Sequence, residues 1–239
     1  MQSAGLPARR YFGVQAIDPT TLTVQVSPDL GSVSALLQLP AGASAILALA
    51  HGAGTDMRHA SMQSLADALA AAGIGTLRYN FPYKEHGRGR PDSPAVAGAT
   101  VRAACAAAAE AAPGLPLFAG GRSFGGRMTS LAASQAPLPD VRGIVFFAFP
   151  LHPAGTPATT RAEHLAQVRI PMLFLQGPRD ELATPALLEP VVSQLPNATL
   201  HWVEAADHSF KVLKRSGRTD ADVIKELVET TAAFMRVHS

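Results

Sequence analysis

Two textures of hydrophobic and polar positions succeed one another along the chain. Residues 21–26 alternate as Thr-Leu-Thr-Val-Gln-Val and 33–39 are similarly β-prone, with Ser27-Pro28-Asp29-Leu30-Gly31 supplying turn chemistry between them. This predicts a hairpin at an antiparallel sheet edge. From Ala45 to Ala50 every residue is apolar, as in a strand covered on both faces. Met62, Leu65 and Leu69 then recur at helical spacing and Gly73 offers a C-terminal cap, which predicts a helix over 61–72. The alternation continues with a strand over 74–81, a helix over 94–112, a strand over 115–119 and a helix over 127–135. A strand over 141–149, a short helix over 160–168, a strand over 171–176, a helix over 185–195, a strand over 199–204 and a helix over 220–237 complete it.

Strands that alternate with helices in this way need crossovers, and crossovers place helices on both faces of a mostly parallel sheet. The predicted class is therefore α/β, a single domain over 1–239 in which 1–10 read as a loose tail. Composition changes this picture little: 47% hydrophobic residues against 16% charged supply ample core. A formal charge of +2, spread along the chain, lacks the concentrated basic face that nucleic acid requires. No apolar run reaches the ~20 residues of a membrane span, and nothing near Arg9-Arg10 reads as a signal peptide. The expectation is a soluble cytoplasmic protein with neither nucleic-acid nor membrane partners. Cys105 is the single cysteine, which excludes an internal disulfide and a cysteine-based metal site; its alanine-rich setting reads as a small buried filler. No P-loop, dinucleotide fingerprint, zinc spacing or EF-hand pattern occurs, so no cofactor and no metal are expected.

In a parallel sheet, ligands bind beyond the carboxyl ends of the strands. Four predicted strands end in chemically apt residues. One runs into Gly120-Gly121-Arg122-Ser123-Phe124-Gly125-Gly126, a G-x-S-x-G between strand and helix, which is the setting of a nucleophile elbow. Another runs into Gly177-Pro178-Arg179-Asp180-Glu181, a third into Asp207-His208-Ser209, and the first parallel strand into His51-Gly52-Ala53-Gly54. A serine hydroxyl needs an imidazole to take its proton and a carboxylate to orient that imidazole. Ser123, Asp180 and His208 supply these in the chain order of α/β-hydrolases. Glu181 and Asp207 are rival carboxylates, Asp207 the poorer because it adjoins His208. His201 falls within a strand and reads as structural. The backbone N–H groups of Phe124 and Ala53 are the expected oxyanion donors, with Gly54 the alternative to Ala53 and His51 a brace for the loop.

On these residues the chain resembles the α/β-hydrolases over nearly its whole length from about Ala45, and among them the small dienelactone-hydrolase-type members without a large lid. A narrower likeness rests on Arg78-Tyr79-Asn80-Phe81-Pro82-Tyr83, the basic loop up to Arg90-Pro91-Asp92, Gly121-Arg122-Ser123 and Asp207-His208-Ser209-Phe210. These segments are similar to a poorly characterised bacterial hydrolase group related to a testis-expressed animal protein and to a subunit of an animal histone-acetylation complex. The resemblance implies the fold and the triad and leaves the substrate open. Serine stands where dienelactone hydrolases proper carry cysteine, so their lactone does not carry over.

The chain therefore reads as a cofactor-independent serine hydrolase acting on a small ester, thioester or related acyl compound. A non-catalytic scaffold on the same fold and an acyltransferase using the same triad are the alternatives. Only about ten residues, 150–159, follow the strand after which lids are commonly inserted, which predicts an open, shallow site. Residues 84–90, with Arg88 and Arg90, concentrate positive charge at a strand end and read either as a solvated loop or as a clamp for an anionic substrate. Arg122 either joins such a clamp or pairs with a neighbouring acid, and His152 reads as a pocket wall or plain loop.

Overall fold

The computed structural model describes residues 10–11, 14–15 and 17–239; apart from Arg10, the predicted tail lies outside the described residues. Strands β1 (Arg10–Tyr11) and β2 (Val14–Gln15) pair with each other. The main sheet holds β3 (Thr20–Ser27), β4 (Gly31–Gln38), β5 (Ala45–Ala50), β6 (Ile74–Tyr79), β7 (Leu117–Arg122), β8 (Val141–Phe147), β9 (Met172–Gln176) and β10 (Ala198–Trp202). Its order is β10-β9-β8-β7-β5-β6-β4-β3, with β3 and β4 antiparallel and the remaining strands parallel to one another. The predicted hairpin edge and parallel body are both present. Helices α1 (Ala60–Ala71), α2 (Pro82–Glu85), α3 (Pro94–Ala111), α4 (Phe124–Gln135), α5 (Pro185–Ser193) and α6 (Asp220–Val237) make the connections.

The unbroken apolar runs are explained by two buried faces. Ile46, Ala48 and Ala50 of β5 pack with α3 and α4, whereas Leu47 and Leu49 pack with α1 and α6. Phe146 and Phe174 face α5 and the segment 160–167, whereas Val145 and Leu173 join the α1/α6 side. Every second side chain therefore enters a different core, and a polar alternate would have been buried unpaired. After β5 the chain crosses to β6 on one side, and after β6 it returns to β7 on the other. The carboxyl ends of β5 and β7 flank this reversal, where the fold leaves a crevice.

Several boundaries differ from expectation, and those nearest the sheet's carboxyl edge matter most. Strand β7 continues through Gly120, Gly121 and Arg122 instead of stopping at the glycines, and α4 begins directly at Phe124. Gly121 is required by close approach: a Cβ there would lie 2.6 Å from the Ala50 carbonyl oxygen. The glycines thus mark crowding between strands rather than a turn. Residues Thr160–Gln167 form a 3-10 helix, and β8 ends at Phe147 because Ala148 adopts φ 62°. Among the described residues no helix is long and apolar enough to cross a membrane.

Candidate active site

Ser123 occupies the one-residue junction between β7 and α4 with φ 49° and ψ −115°, a strained conformation for a residue with a side chain. The Ser123 N–H donates to the Phe147 carbonyl at 3.0 Å, tying the turn to β8. This backbone projects the hydroxyl out of the sheet's carboxyl edge. His208 Nε2 lies 2.8 Å from Ser123 Oγ, and His208 Nδ1 lies 2.7 Å from Asp180 Oδ2. The three side chains named from the sequence are therefore in continuous hydrogen-bond contact, although 85 and 28 residues separate the partners along the chain.

The loops that carry Asp180 and His208 are pressed together. Gly177 admits this contact, because a Cβ would meet the Ala206 carbonyl oxygen at 2.3 Å. Arg179 reinforces it, its N–H donating to the Ala206 carbonyl and its guanidinium to those of Ala205 and Lys211. Asp207 Oδ1 accepts from the N–H groups of Ser209 and Lys211 at 2.8 and 2.9 Å, so this rival carboxylate shapes the histidine loop instead of meeting the ring. Glu181 is exposed, and His201 pairs with Glu226. Asp180 is 1% exposed. Gln176 donates to Asp180 Oδ2 at 2.6 Å and accepts from Phe149 N–H, while Leu182 N–H donates to Asp180 Oδ1. A carboxylate with these partners holds one orientation.

On the far side of Ser123, the turn after β5 is braced in the same manner. His51 is fully buried; its Nδ1–H donates to the Gly52 carbonyl and its Nε2 accepts from Phe81 N–H. Tyr83 Oη donates to the Ala53 carbonyl at 2.8 Å while its ring packs edge-on against Phe124, with centroids 6.3 Å apart. One side chain thus holds both segments whose N–H groups, Ala53 and Phe124, were expected to face an oxyanion. Neither N–H has a hydrogen-bond acceptor among the described residues. Ala53, Gly54, Ser123 and His208 line a common cleft of about 440 Å³.

Burial pushes the His51 imidazole down to about 4 from its ordinary 6.5. Between those values the unfolded chain binds a proton that the folded one refuses, so His51 removes stability as pH falls from 6.5 towards 4. At ~1.4 kcal/mol for each pH unit of that interval, the loss is about 3 kcal/mol in all. Urea unfolding of the wild type and His51→Gln at about pH 7.5 and about pH 4.5 should show the variant losing less stability over that interval. Equal losses would contradict the assignment.

Residues 43–236 match the signature of the alpha/beta hydrolase domain family. The chain belongs to that family. Solved structures similar to this α/β hydrolase include a dienelactone hydrolase from Anabaena variabilis, at 20% identity and TM-score 0.72 over 93% of this chain and 99% of that one. A serine hydrolase without a lid from Xanthomonas campestris has 22% identity and TM-score 0.66 over 93% and 98% of the two chains. A cold-adapted esterase from an Arctic intertidal metagenomic library has 19% identity and TM-score 0.62 over 97% and 99%. These are likenesses of fold, and they place the hydrolase among lidless, dienelactone-hydrolase-like architectures.

Some expected binding residues lie elsewhere. Arg88 and Arg90 line a separate cavity with Asp29, Leu30 and Asp92, and Arg88 pairs with Asp92 at 3.2 Å. The cause is local: Pro82 opens the short α2, and Glu85 then binds Ser34 and Asn80, which draws the basic loop against the β3–β4 hairpin. His152 is 2% exposed, with Nδ1 on the Pro153 carbonyl and its N–H on that of Leu182, and it does not line the triad cleft. Arg122 does line it. Gln176, Tyr83 and Arg179 were not anticipated as site residues; the one available signal was a polar glutamine closing the apolar run of β9.

Proposed function

We propose that this α/β hydrolase cleaves a carboxylic ester or thioester through an acyl-enzyme on Ser123. His208 Nε2 takes the hydroxyl proton as Ser123 Oγ bonds to the carbonyl carbon, and Asp180 holds the ring with Nδ1–H towards itself. The carbonyl oxygen becomes an oxyanion facing the N–H groups of Phe124 and Ala53. Collapse breaks the bond to the leaving alcohol or thiol, which departs with the proton from His208. Water then repeats the sequence, losing its proton to His208, and the acid leaves Ser123 free. Beyond the substrate and water, each proposed step draws on groups of this chain. The observation that carries the reading is the contact running from Asp180 through His208 to Ser123, 2.7 and 2.8 Å long.

The structural neighbours described as an esterase and a serine hydrolase support the same class. The test is turnover of p-nitrophenyl butyrate by purified protein followed by stopped flow. A burst of nitrophenolate approaching one per active site is expected whenever deacylation is the slower step, and at minimum steady hydrolysis saturable in ester. Release no faster than in buffer would overturn the proposal.

A further inference from the structure

A second cavity, of about 410 Å³, lies between α1 and α6 and shares His59, Ser61, Arg122, Ser209 and Lys211 with the triad cleft. Beyond that shared rim its lining turns apolar, with Leu65, Phe147, Phe210, Val223, Ile224 and Leu227. Its volume lies in the range of small-molecule sites. The two cavities are therefore continuous, and the nucleophile stands at one end of a groove whose other end is hydrophobic.

Two cations stand on the shared rim. Lys211 is neutralised by an ion pair with Asp220. Arg122 makes no side-chain hydrogen bond or ion pair with any of the described residues. It is half-buried, and the burial it has holds its guanidinium below the usual range, opposed in part by the field of Asp207. Asp207 does not pair with it; its Oδ1 accepts from the N–H groups of Ser209 and Lys211. A half-buried guanidinium that makes no side-chain pair among the described residues offers a forked donor set suited to a carboxylate.

We propose that the substrate is amphipathic: its apolar arm lies between α1 and α6, and a carboxylate near the reacting carbonyl pairs with Arg122. This deepens the hydrolase reading and, as a statement about substrate, rests on it. The position of Arg122, one residue before the nucleophile, sets the carboxylate within a few bonds of the carbonyl. The apolar lining sets a medium-length chain beyond it.

The test compares ratios of kcat/KM, so that each variant is its own control. The wild type should prefer mono-p-nitrophenyl glutarate to p-nitrophenyl butyrate, and Arg122→Gln should reduce that ratio by roughly 10- to 100-fold, with Arg122→Lys between them. Ile224→Trp, which fills the second cavity, should reduce the octanoate-to-butyrate ratio by roughly tenfold or more. In parallel, calorimetry should find 2-hexylsuccinate bound by Ser123→Ala protein and bound at least roughly tenfold more weakly after either further substitution. Turnover of butyrate with ratios that neither substitution moves, and no binding of hexylsuccinate, would overturn this inference and leave the hydrolase reading standing. Binding that depends on both residues without turnover of any ester would overturn the hydrolase reading and keep the ligand assignment.

Discussion

Ser123→Ala should lower kcat for a p-nitrophenyl ester by roughly 10⁶-fold while leaving the fold intact. The large effect follows from the division of labour in the site. In the proposed mechanism His208 and Asp180 act only by way of the Ser123 oxygen, so its removal should idle all three at once. What remains is whatever the oxyanion donors and binding supply, on the order of 10³- to 10⁴-fold over water. The fold should survive because the backbone bond from residue 123 to the Phe147 carbonyl does not involve the hydroxyl, and alanine meets the same strain at φ 49° as serine. Kinetics and thermal unfolding on the same preparation check both halves. A variant that unfolds within a few degrees of the wild type yet retains about a hundredth of its kcat would contradict the assignment.

Asp180→Asn is expected to cost roughly 10⁴-fold in kcat, with a much smaller change in stability than loss of the whole side chain would bring. In the wild type, Asp180 Oδ2 accepts from both His208 and Gln176. An amide at that position has one acceptor oxygen and one NH₂ group. If Leu182 N–H keeps its bond, the amide oxygen stays in the Oδ1 place and the NH₂ group takes the Oδ2 place, where it loses the bond from Gln176 and faces His208, whose Nδ1 must then accept and whose Nε2 then carries the proton. A ring in that tautomer has no lone pair for the serine proton. The prediction is a fall in kcat that grows less severe as pH rises, because hydroxide increasingly takes the proton instead. A variant within roughly tenfold of wild type at neutral pH would show that Asp180 does not set the tautomer.

The sheet was legible because its physics is local and repetitive. Ala45–Ala50 is apolar at every position since both faces are covered, and the hairpin of β3 and β4 alternates since it closes the edge. Ser123, Asp180 and His208 could be named because a parallel sheet puts every strand's carboxyl end on one side, so strand-end residues distant in sequence become candidates for contact. The residues that hold them were not legible. Gln176 reaches Asp180 and Phe149, and Tyr83 reaches Ala53 and Phe124, through contacts across the sheet's edge that carry no spacing signal. The basic loop was open to two readings in sequence, a solvated loop or an anion clamp. Arg88 and Arg90 do follow a strand end, but Glu85 anchors that loop to Ser34, so it turns away from the cleft. Glycines misled in a smaller way: Gly121 reads as punctuation in sequence and proves to be a packing requirement within β7.

The most direct measurement is the mass of the protein after treatment with a fluorophosphonate, followed by peptide mapping. One adduct per chain is predicted, located on Ser123 and absent from the Ser123→Ala protein. Adduct formation should slow sharply when His208 is replaced by alanine. A wild-type protein that stays unmodified under conditions that label a known serine esterase, or a label that settles on another residue, would contradict the assignment of Ser123 as the nucleophile.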